Sequence, residues 1–273
     1  MLRVRDIADL DLPELAPFMT MRQQQDHYRD RLFVAEGRKV VERLLESDLD
    51  VVSALMPPEA FEEVRGLFER RSEAIDVFLA PKPKLEAMTG FSMYQGFLAC
   101  GRIPAPAELD VVWQQAERPR FFVATDGLTN AENLGGLVRN AAAFGAQALI
   151  VGETCVHPYL RRAVRSSMGN VFRMPVVEPV SLVDALGELR RRGMRCVAAH
   201  PHTDRRTLPE ALLSGDACVV LGSEGEGISK AVREACDEQV AIPMQSGVDS
   251  LNVNSAAAVF FYEVWRQRGR NHK

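Results

Sequence analysis

Short apolar runs alternate with amphipathic helical patterns along the second half of the chain. Five of these runs have the length of β-strands, and they lie at 121–125, 148–151, 195–199, 217–222 and 239–242. Almost continuously apolar runs are typical of strands buried on both faces, and their alternation with helices is typical of a parallel sheet. A last helix is expected over roughly 252–268. The pattern therefore predicts an α/β fold around a mostly parallel sheet.

The first hundred residues show the same alternation on a smaller scale. Strands are expected at 32–35, 51–56, 77–80 and 95–100, and helices at 38–46 and 59–71. The stretch 103–110 carries Pro104 and Pro106, which fit neither a helix interior nor a central strand. We therefore predict a small α/β domain over 1–104 with a polar leading segment, a linker over 105–118 and a second domain over 119–273.

The charge of the chain limits how it could bind nucleic acid. Of its 273 residues, 33 are Lys or Arg and 37 are Asp or Glu, so the formal net charge is −4. This balance argues against a protein that holds nucleic acid by bulk charge alone. Residues 1–110 hold 14 basic and 20 acidic side chains, whereas residues 111–273 hold 19 and 17, which favours a local cationic surface in the second half. The candidate contacts are Arg118, Arg120, Arg139, Arg161, Arg162, Arg165 and Arg173, with Arg22, Arg29, Arg31, Arg38 and Lys39 in the first half.

The cysteines and the N-terminal segment indicate a cytoplasmic protein. The five cysteines are odd in number and lie in no metal-like spacing, so we expect reduced thiols and no metal site. The N-terminal segment lacks the apolar stretch of a signal peptide, and no apolar run reaches membrane-spanning length.

His200 and His202 follow a predicted strand, but no third ligand for a metal is apparent. We interpret the two histidines as part of a loop wall.

Three loops follow predicted strands of the second domain, at 126–136, 221–229 and 242–254. Ligands of parallel α/β sheets bind at this edge. Each loop also has an ordinary explanation: a capped helix for the first, a glycine-rich turn for the second and N-cap residues for the third. The second loop has neither the P-loop lysine nor the dinucleotide-binding glycine spacing, which disfavours a nucleotide-dependent dehydrogenase.

Taken together and in order, the three loops resemble the signature motifs of the SpoU branch of the SPOUT RNA methyltransferases, also called the TrmH family. The matching stretches are Asn133-Leu134-Gly135-Gly136-Leu137-Val138-Arg139, then Leu221-Gly222-Ser223-Glu224-Gly225-Glu226-Gly227-Ile228, then Ile242-Pro243-Met244 with Ser250-Leu251-Asn252-Val253. The resemblance covers about residues 119–268. The first domain is similar, less specifically, to the small α/β RNA-binding domain that precedes the catalytic domain in many members.

The resemblance implies a 2′-O-ribose methyltransferase that uses S-adenosylmethionine on RNA, with ribosomal RNA expected over transfer RNA. It also implies a deep trefoil knot around the sheet and a homodimer with its sites at the interface. The apolar helix 253–265 is suited to that interface, and plain core packing is the alternative interpretation of its apolar side. It implies no metal. A non-catalytic RNA-binding or ribosome-assembly protein on the same fold is the alternative hypothesis.

The resemblance also assigns roles to individual residues. Arg139 would grip the target phosphate and stabilise a developing alkoxide, because a guanidinium is a poor base. Glu224 would orient Arg139, and Asn133, Ser250 and Asn252 would position the ribose and Arg139. The backbone around the cofactor would come from Ala199, His200, Leu221, Gly222, Gly227, Ile242, Met244 and Leu251. Asn254 departs from the small hydroxyl residue of many members.

Overall fold

The computed structural model describes residues 1–7, 12–21, 29–89, 96–202 and 206–269. Arg22, a predicted RNA contact, and Gln95, at the start of a predicted strand, lie outside these residues. The chain divides into two compact units. The first unit comprises Met1–Ala105 and Pro158–Arg173, and the second comprises Pro106–His157 and Met174–Lys273.

Strands and helices alternate along both units. The strands are β1 (Leu2–Asp6), β2 (Leu32–Glu36), β3 (Val51–Met56), β4 (Ile75–Leu79), β5 (Leu98–Arg102), β6 (Phe121–Asp126), β7 (Ala148–Val151), β8 (Val176–Val177), β9 (Arg195–Ala199), β10 (Ala217–Gly222) and β11 (Glu238–Val240). The helices are α1 (Ala16–Met19), α2 (Arg38–Leu45), α3 (Pro58–Glu69), α4 (Lys82–Thr89), α5 (Leu109–Gln115), α6 (Ala131–Ala143), α7 (Arg161–Ser166), α8 (Leu182–Arg191), α9 (Lys230–Ala235) and α10 (Val253–Gln267).

The first unit is built on a sheet in the order β1-β4-β3-β5-β2. Strands β1, β4 and β3 run parallel, whereas β5 is antiparallel to both β3 and β2. The edge strand β1 was not predicted, because its exposed side chains are mostly polar and it is held by backbone pairing with β4. Phe18 and Phe78 are fully buried in the core beside the sheet.

The second unit is built on a sheet in the order β11-β9-β10-β6-β7-β8, and all of its strand pairs are parallel. Phe122, Val220 and Leu186 belong to one buried cluster of the sheet and its helices. Helix α6 packs against α10, and Asn140 on α6 donates a hydrogen bond of 2.9 Å to the Asn254 carbonyl. These findings confirm the predicted α/β fold with mostly parallel strands.

Two segments differ from the predicted division of the chain. The predicted linker 105–118 contains α5, which contributes the buried Val112 to the second unit. The prolines lie before this helix and therefore mark only its beginning. The segment Pro158–Arg173, predicted within the second domain, packs in the first unit instead. Its Tyr159 and Phe172 rings lie 5.2 and 5.3 Å from the ring of Phe33, an apolar packing that no local sequence pattern indicates.

Across the described part of the chain, no helix is both long enough and apolar enough to cross a membrane.

Candidate active site

The loops predicted to carry the chemistry begin side by side at one edge of the second sheet. Gly222 at the end of β10 lies opposite Asp126 at the end of β6, and β9 pairs with the other side of β10. The Asp126 carboxylate accepts a hydrogen bond of 2.7 Å from the backbone N–H of Ser229, which ties the glycine-rich loop to the neighbouring strand. Loops that start in register at one sheet edge form a common wall.

The glycine-rich loop folds back on the end of β10. Ser223 and Gly227 exchange two backbone hydrogen bonds of 3.0 and 3.1 Å, and Gly227 has a φ of +70°. A Cβ on Gly222 would lie 2.2 Å from the Gly227 carbonyl carbon. Gly222 is therefore required for the close approach of two backbone segments, and Gly227 for the left-handed turn. The turn brings its own backbone to a cavity at the sheet edge.

A hydrogen-bond network joins the three loops around the Glu224 carboxylate. Glu224 Oε1 accepts from the side-chain amide of Asn252 at 3.0 Å and, over a short contact, from that of Asn133. Asn254 in turn donates to Asn133 Oδ1 at 3.2 Å. Hydrogen bonds to an ionised carboxylate are stronger than those between neutral groups. Glu224 therefore fixes the amides of Asn133 and Asn252.

The helix-capping interpretation of the third loop is also correct. Asn252 precedes α10, and its side-chain oxygen accepts from the backbone N–H of Asn254 at 2.9 Å. Its amide nitrogen remains available and bonds Glu224. At the start of α6 the cap is Asn130, which leaves the side chain of Asn133 for the network. One residue, Asn252, thus serves both the helix and the site.

Within the described chain, Glu224 bonds the amides of Asn133 and Asn252 and does not bond Arg139, so its bond to Arg139 stays a prediction. Arg139 is exposed, and it makes no hydrogen bond or ion pair with any residue that the structure describes. The reason lies in the helix geometry, because six residues correspond to about 600° and put Arg139 about 120° around α6 from Asn133. Asn133 and Arg139 therefore do not share a face of α6. Gly136 is the position on α6 that lies against Asn254.

A model of the SpoU rRNA methylase family matches residues 120–262 of this chain. The chain belongs to the SpoU rRNA methylase family. The resemblance drawn from the three motifs is thereby confirmed, and the chain is an RNA methyltransferase of the SpoU type. The matched region begins at the end of the predicted linker and includes the three loops of the site.

Relatives of SpoU type match the chain over nearly its full length. An uncharacterized tRNA/rRNA methyltransferase of Mycobacterium tuberculosis is 34% identical, over 99% of this chain and 94% of the relative. The SpoU methyltransferase AviRb from Streptomyces viridochromogenes, solved in complex with the cofactor AdoMet, is 25% identical with a TM-score of 0.80, over 94% of this chain and 98% of AviRb. A solved RNA 2′-O ribose methyltransferase is 26% identical with a TM-score of 0.77, over 98% and 99% of the two chains.

The cavity of this SpoU methyltransferase lies where the motifs predict it. All the residues predicted to surround the cofactor line it, namely Ala199, His200, Leu221, Gly222, Gly227, Ile242, Met244 and Leu251. Ser250 and Glu224 line it as well. Sequence reasoning missed Val253, Ala256 and Phe260, which also face the cavity. Their spacing of three and four residues marks one face of α10, so the helical period was a signal that could have found them.

His200 is held in one protonation state at the wall of this cavity. Its Nε2 lies 3.1 Å from Nη1 of Arg233. A guanidinium only donates, so Nε2 is the acceptor and the imidazole is neutral. Burial, the charge of Arg233 and the neighbouring His202 all lower the pKa of His200. The cavity therefore presents a neutral ring here. Among the described residues, no group of three potential metal ligands is present.

Proposed function

We propose that this protein transfers the methyl group of S-adenosylmethionine to the 2′-hydroxyl of a ribose in RNA, with ribosomal RNA favoured over transfer RNA. The observation that carries the proposal is the network of Glu224, Asn133 and Asn252 beside a cavity lined by loop backbone. The family is that of the SpoU rRNA methylases, and a structural neighbour is an RNA 2′-O ribose methyltransferase. Both support the proposed reaction.

The chemistry of the cavity wall fits this cofactor. Gly222, Gly225 and Gly227 line the cavity and have no side chain, so their main-chain groups are open to a ligand, which suits recognition of an adenine edge. The carboxylates of Glu224 and Glu226 line the wall, and His200 adds no positive charge. Because the carboxylates are negative and the imidazole is uncharged, this wall favours a cationic ligand over an anionic one. When bound, the cofactor supplies an electrophilic methyl on a sulfonium.

The side chains of the network align the hydroxyl for displacement. Asn133 and Asn252, fixed by Glu224, hold the ribose, and Ser250 contributes a hydroxyl at the cavity wall. Arg139 binds the phosphate next to the ribose and stabilises the alkoxide as the hydroxyl loses its proton. With the cofactor bound beside this network, its sulfonium would supply the methyl group to the ribose oxygen, and a phosphate oxygen would accept the hydroxyl proton. Glu224 is thus a positioning residue for the two amides.

The active form proposed here is a homodimer. Helix α10 exposes Val259 and Tyr262, which are 40% and 50% accessible, and Tyr262 contacts the rings of Phe144 and Trp265. An exposed aromatic cluster on a helix is typical of an interface. Arg139 has no partner among the described residues of its own chain, which suits a site completed by a second copy. We also propose that the second unit contains the deep trefoil knot of the family and that the protein is located in the cytoplasm.

The decisive experiment compares the RNA of cells with and without this protein by mapping 2′-O-methyl positions. A position that loses its methyl group in the deletion strain, and regains it with the purified protein and S-adenosylmethionine, identifies the substrate. The variant Arg139→Ala is expected to bind the cofactor with unchanged affinity in calorimetry and to lose nearly all transfer. Retained transfer would remove Arg139 from the mechanism. Absent cofactor binding by the wild type would favour the non-catalytic RNA-binding protein.

A further inference from the structure

The segment Pro158–Arg173 changes the distribution of charge between the two units. It holds Arg161, Arg162, Arg165 and Arg173 and no acidic residue. With this segment, the first unit has 18 basic and 18 acidic residues, and the second has 15 and 19. This segment therefore accounts for the cationic excess of the second half of the chain, and it brings the first unit to a net charge of zero.

The segment is fixed on the first unit by specific contacts. Helix α7 packs against β2, and Arg43 on α2 donates a hydrogen bond of 2.5 Å to the Met168 carbonyl. Met168 and Gly169 have φ angles of +55° and +75°, so the chain reverses over two left-handed residues. The buried side chains of Val164 and Phe172 anchor either side of this turn. The backbone that bears the four arginines is thus fixed by packing and hydrogen bonds to the first unit.

The four arginines divide into one structural and three exposed side chains. Arg161 is 15% accessible and pairs with Glu36, which is itself 13% accessible. Glu36 also pairs at 3.1 Å with Arg165, which is 63% accessible, so one carboxylate faces two guanidiniums. Arg173 is 66% accessible and lies 3.6 Å from Glu46. Arg162 is exposed and forms no ion pair with a described residue.

The exposed groups suit a phosphate backbone better than a protein surface. Arg162 and Arg165 are three residues apart on α7 and therefore neighbours on one helix face. Guanidinium forks match phosphate oxygens. Ala163, Val164, Val171 and Phe172 of the segment are buried in the first unit, so most of its apolar surface is unavailable to a protein partner.

We propose that Arg162, Arg165 and Arg173 form an RNA phosphate-binding surface on the first unit. The proposal rests on the proposed function, since it concerns the RNA that the protein methylates. Contacts to phosphate fix the position of a protein on nucleic acid and do not read its sequence. This surface therefore holds the RNA for the site and leaves the choice of nucleotide to other residues.

The test compares two triple variants with equal loss of charge on the same unit. The test variant is R162Q/R165Q/R173Q, and the matched control is R3Q/R65Q/R70Q, whose arginines are on β1, α3 and the end of α3. Binding of protein-free ribosomal RNA from the deletion strain is measured over a range of KCl concentrations. The test variant should bind at least tenfold more weakly at low salt. Its slope of log K against log salt should be shallower by about 2, since each lost phosphate contact removes roughly 0.7–0.9. The RNA affinity of the control variant should stay within twofold of that of the wild type.

Failure of this proposal is distinguishable from failure of the proposed function. Equal RNA affinity of the two triple variants, with methyl transfer intact in the wild type, would overturn the surface alone. If the wild type binds RNA through these arginines but transfers no methyl group, the proposed RNA-binding surface stands and the proposed methyl transfer is wrong. A test variant that binds naked RNA normally but loses affinity for assembled ribosomal particles would show a protein partner and overturn the RNA assignment. All three proteins should bind S-adenosylmethionine equally in calorimetry.

Discussion

Asn254 and Gly136 are fitted to each other at the contact between α10 and α6. A Cβ on Gly136 would lie 2.6 Å from Asn254 Nδ2, and the same amide donates to Asn133. The Oδ1 atom of Asn254 is buried without a hydrogen-bond partner among the described residues. The side chain of Asn254 therefore fills the space that Gly136 leaves open.

This fit predicts that Gly136→Ala destabilises the protein and lowers methyl transfer. The added methyl group displaces the Asn254 amide, and overpacking of this kind costs about 1–3 kcal/mol. Adding Asn254→Ser removes the displaced amide, so the double variant should regain most of the lost free energy of unfolding. Urea unfolding of both single variants and the double variant measures the coupling.

The control for this cycle is Gly187→Ala on α8, where a Cβ would meet nothing within 4 Å. Alanine is the better helix former by about 1 kcal/mol, so this variant should be slightly stabilised. If Gly136→Ala behaves like the control, or if Asn254→Ser does not compensate it, the proposed fit is wrong.

At the scale of elements, the turn after β10 has two glycines that resist a side chain, Gly222 and Gly227, and one that accepts it, Gly225. Gly222→Ala would place its Cβ 2.2 Å from the Gly227 carbonyl carbon, and backbone of a closed turn has little room to yield. Gly225 has open space around its Cβ position. We therefore expect Gly222→Ala to weaken S-adenosylmethionine binding at least tenfold and Gly225→Ala to stay within threefold.

Isothermal titration calorimetry of both variants checks this expectation. Circular dichroism of Gly222→Ala shows whether the sheet remains folded, so that a local effect can be separated from unfolding. Equal cofactor affinity of the two variants would mean that the closed turn does not shape the cavity.

The elements that sequence predicted best are those whose burial leaves a simple pattern. The run at 217–222 became β10 with the same bounds, because buried parallel strands are continuously apolar. Helix α5 was predicted as linker, since Pro104 and Pro106 are strong local signals and the helix has only seven residues. The position of Pro158–Arg173 depends on packing against Phe33, which is distant in sequence.

The same distinction applies to the site. Its cavity-lining residues followed from three motifs at strand ends, because the carboxyl ends of parallel strands meet at one edge. The partner of Glu224 could not be read from motif order, because it depends on the phase of a helix. Asn133 faces the carboxylate, whereas Arg139, about one and two-thirds turns later, does not.

At the scale of the whole molecule, the exposed face of α10 predicts the oligomeric state. A carboxylate buried without a partner at an apolar interface is strongly unfavourable. The variant V259E/Y262E should therefore be a monomer at concentrations at which the wild type is a dimer, and it should lose methyl transfer with the dimer. Sedimentation velocity measures the mass.

Val180→Glu is the matched control for this prediction, since Val180 is also on the second unit and is 98% accessible. It should leave mass and activity unchanged. A wild type that sediments as a monomer and still methylates RNA would contradict the proposed homodimer.

The first unit is formed by two separate stretches of the chain, Met1–Ala105 and Pro158–Arg173, and this limits how the unit can be exchanged between relatives by recombination. A recombination event at 105–106 alone would join one protein's β2 to another protein's Tyr159 and Phe172, which pack against Phe33. Side chains that evolved separately would then share one core. We expect exchange between relatives to succeed when 1–105 and 158–173 move as a pair, so that the proposed RNA-binding surface is inherited in two separate pieces of the chain.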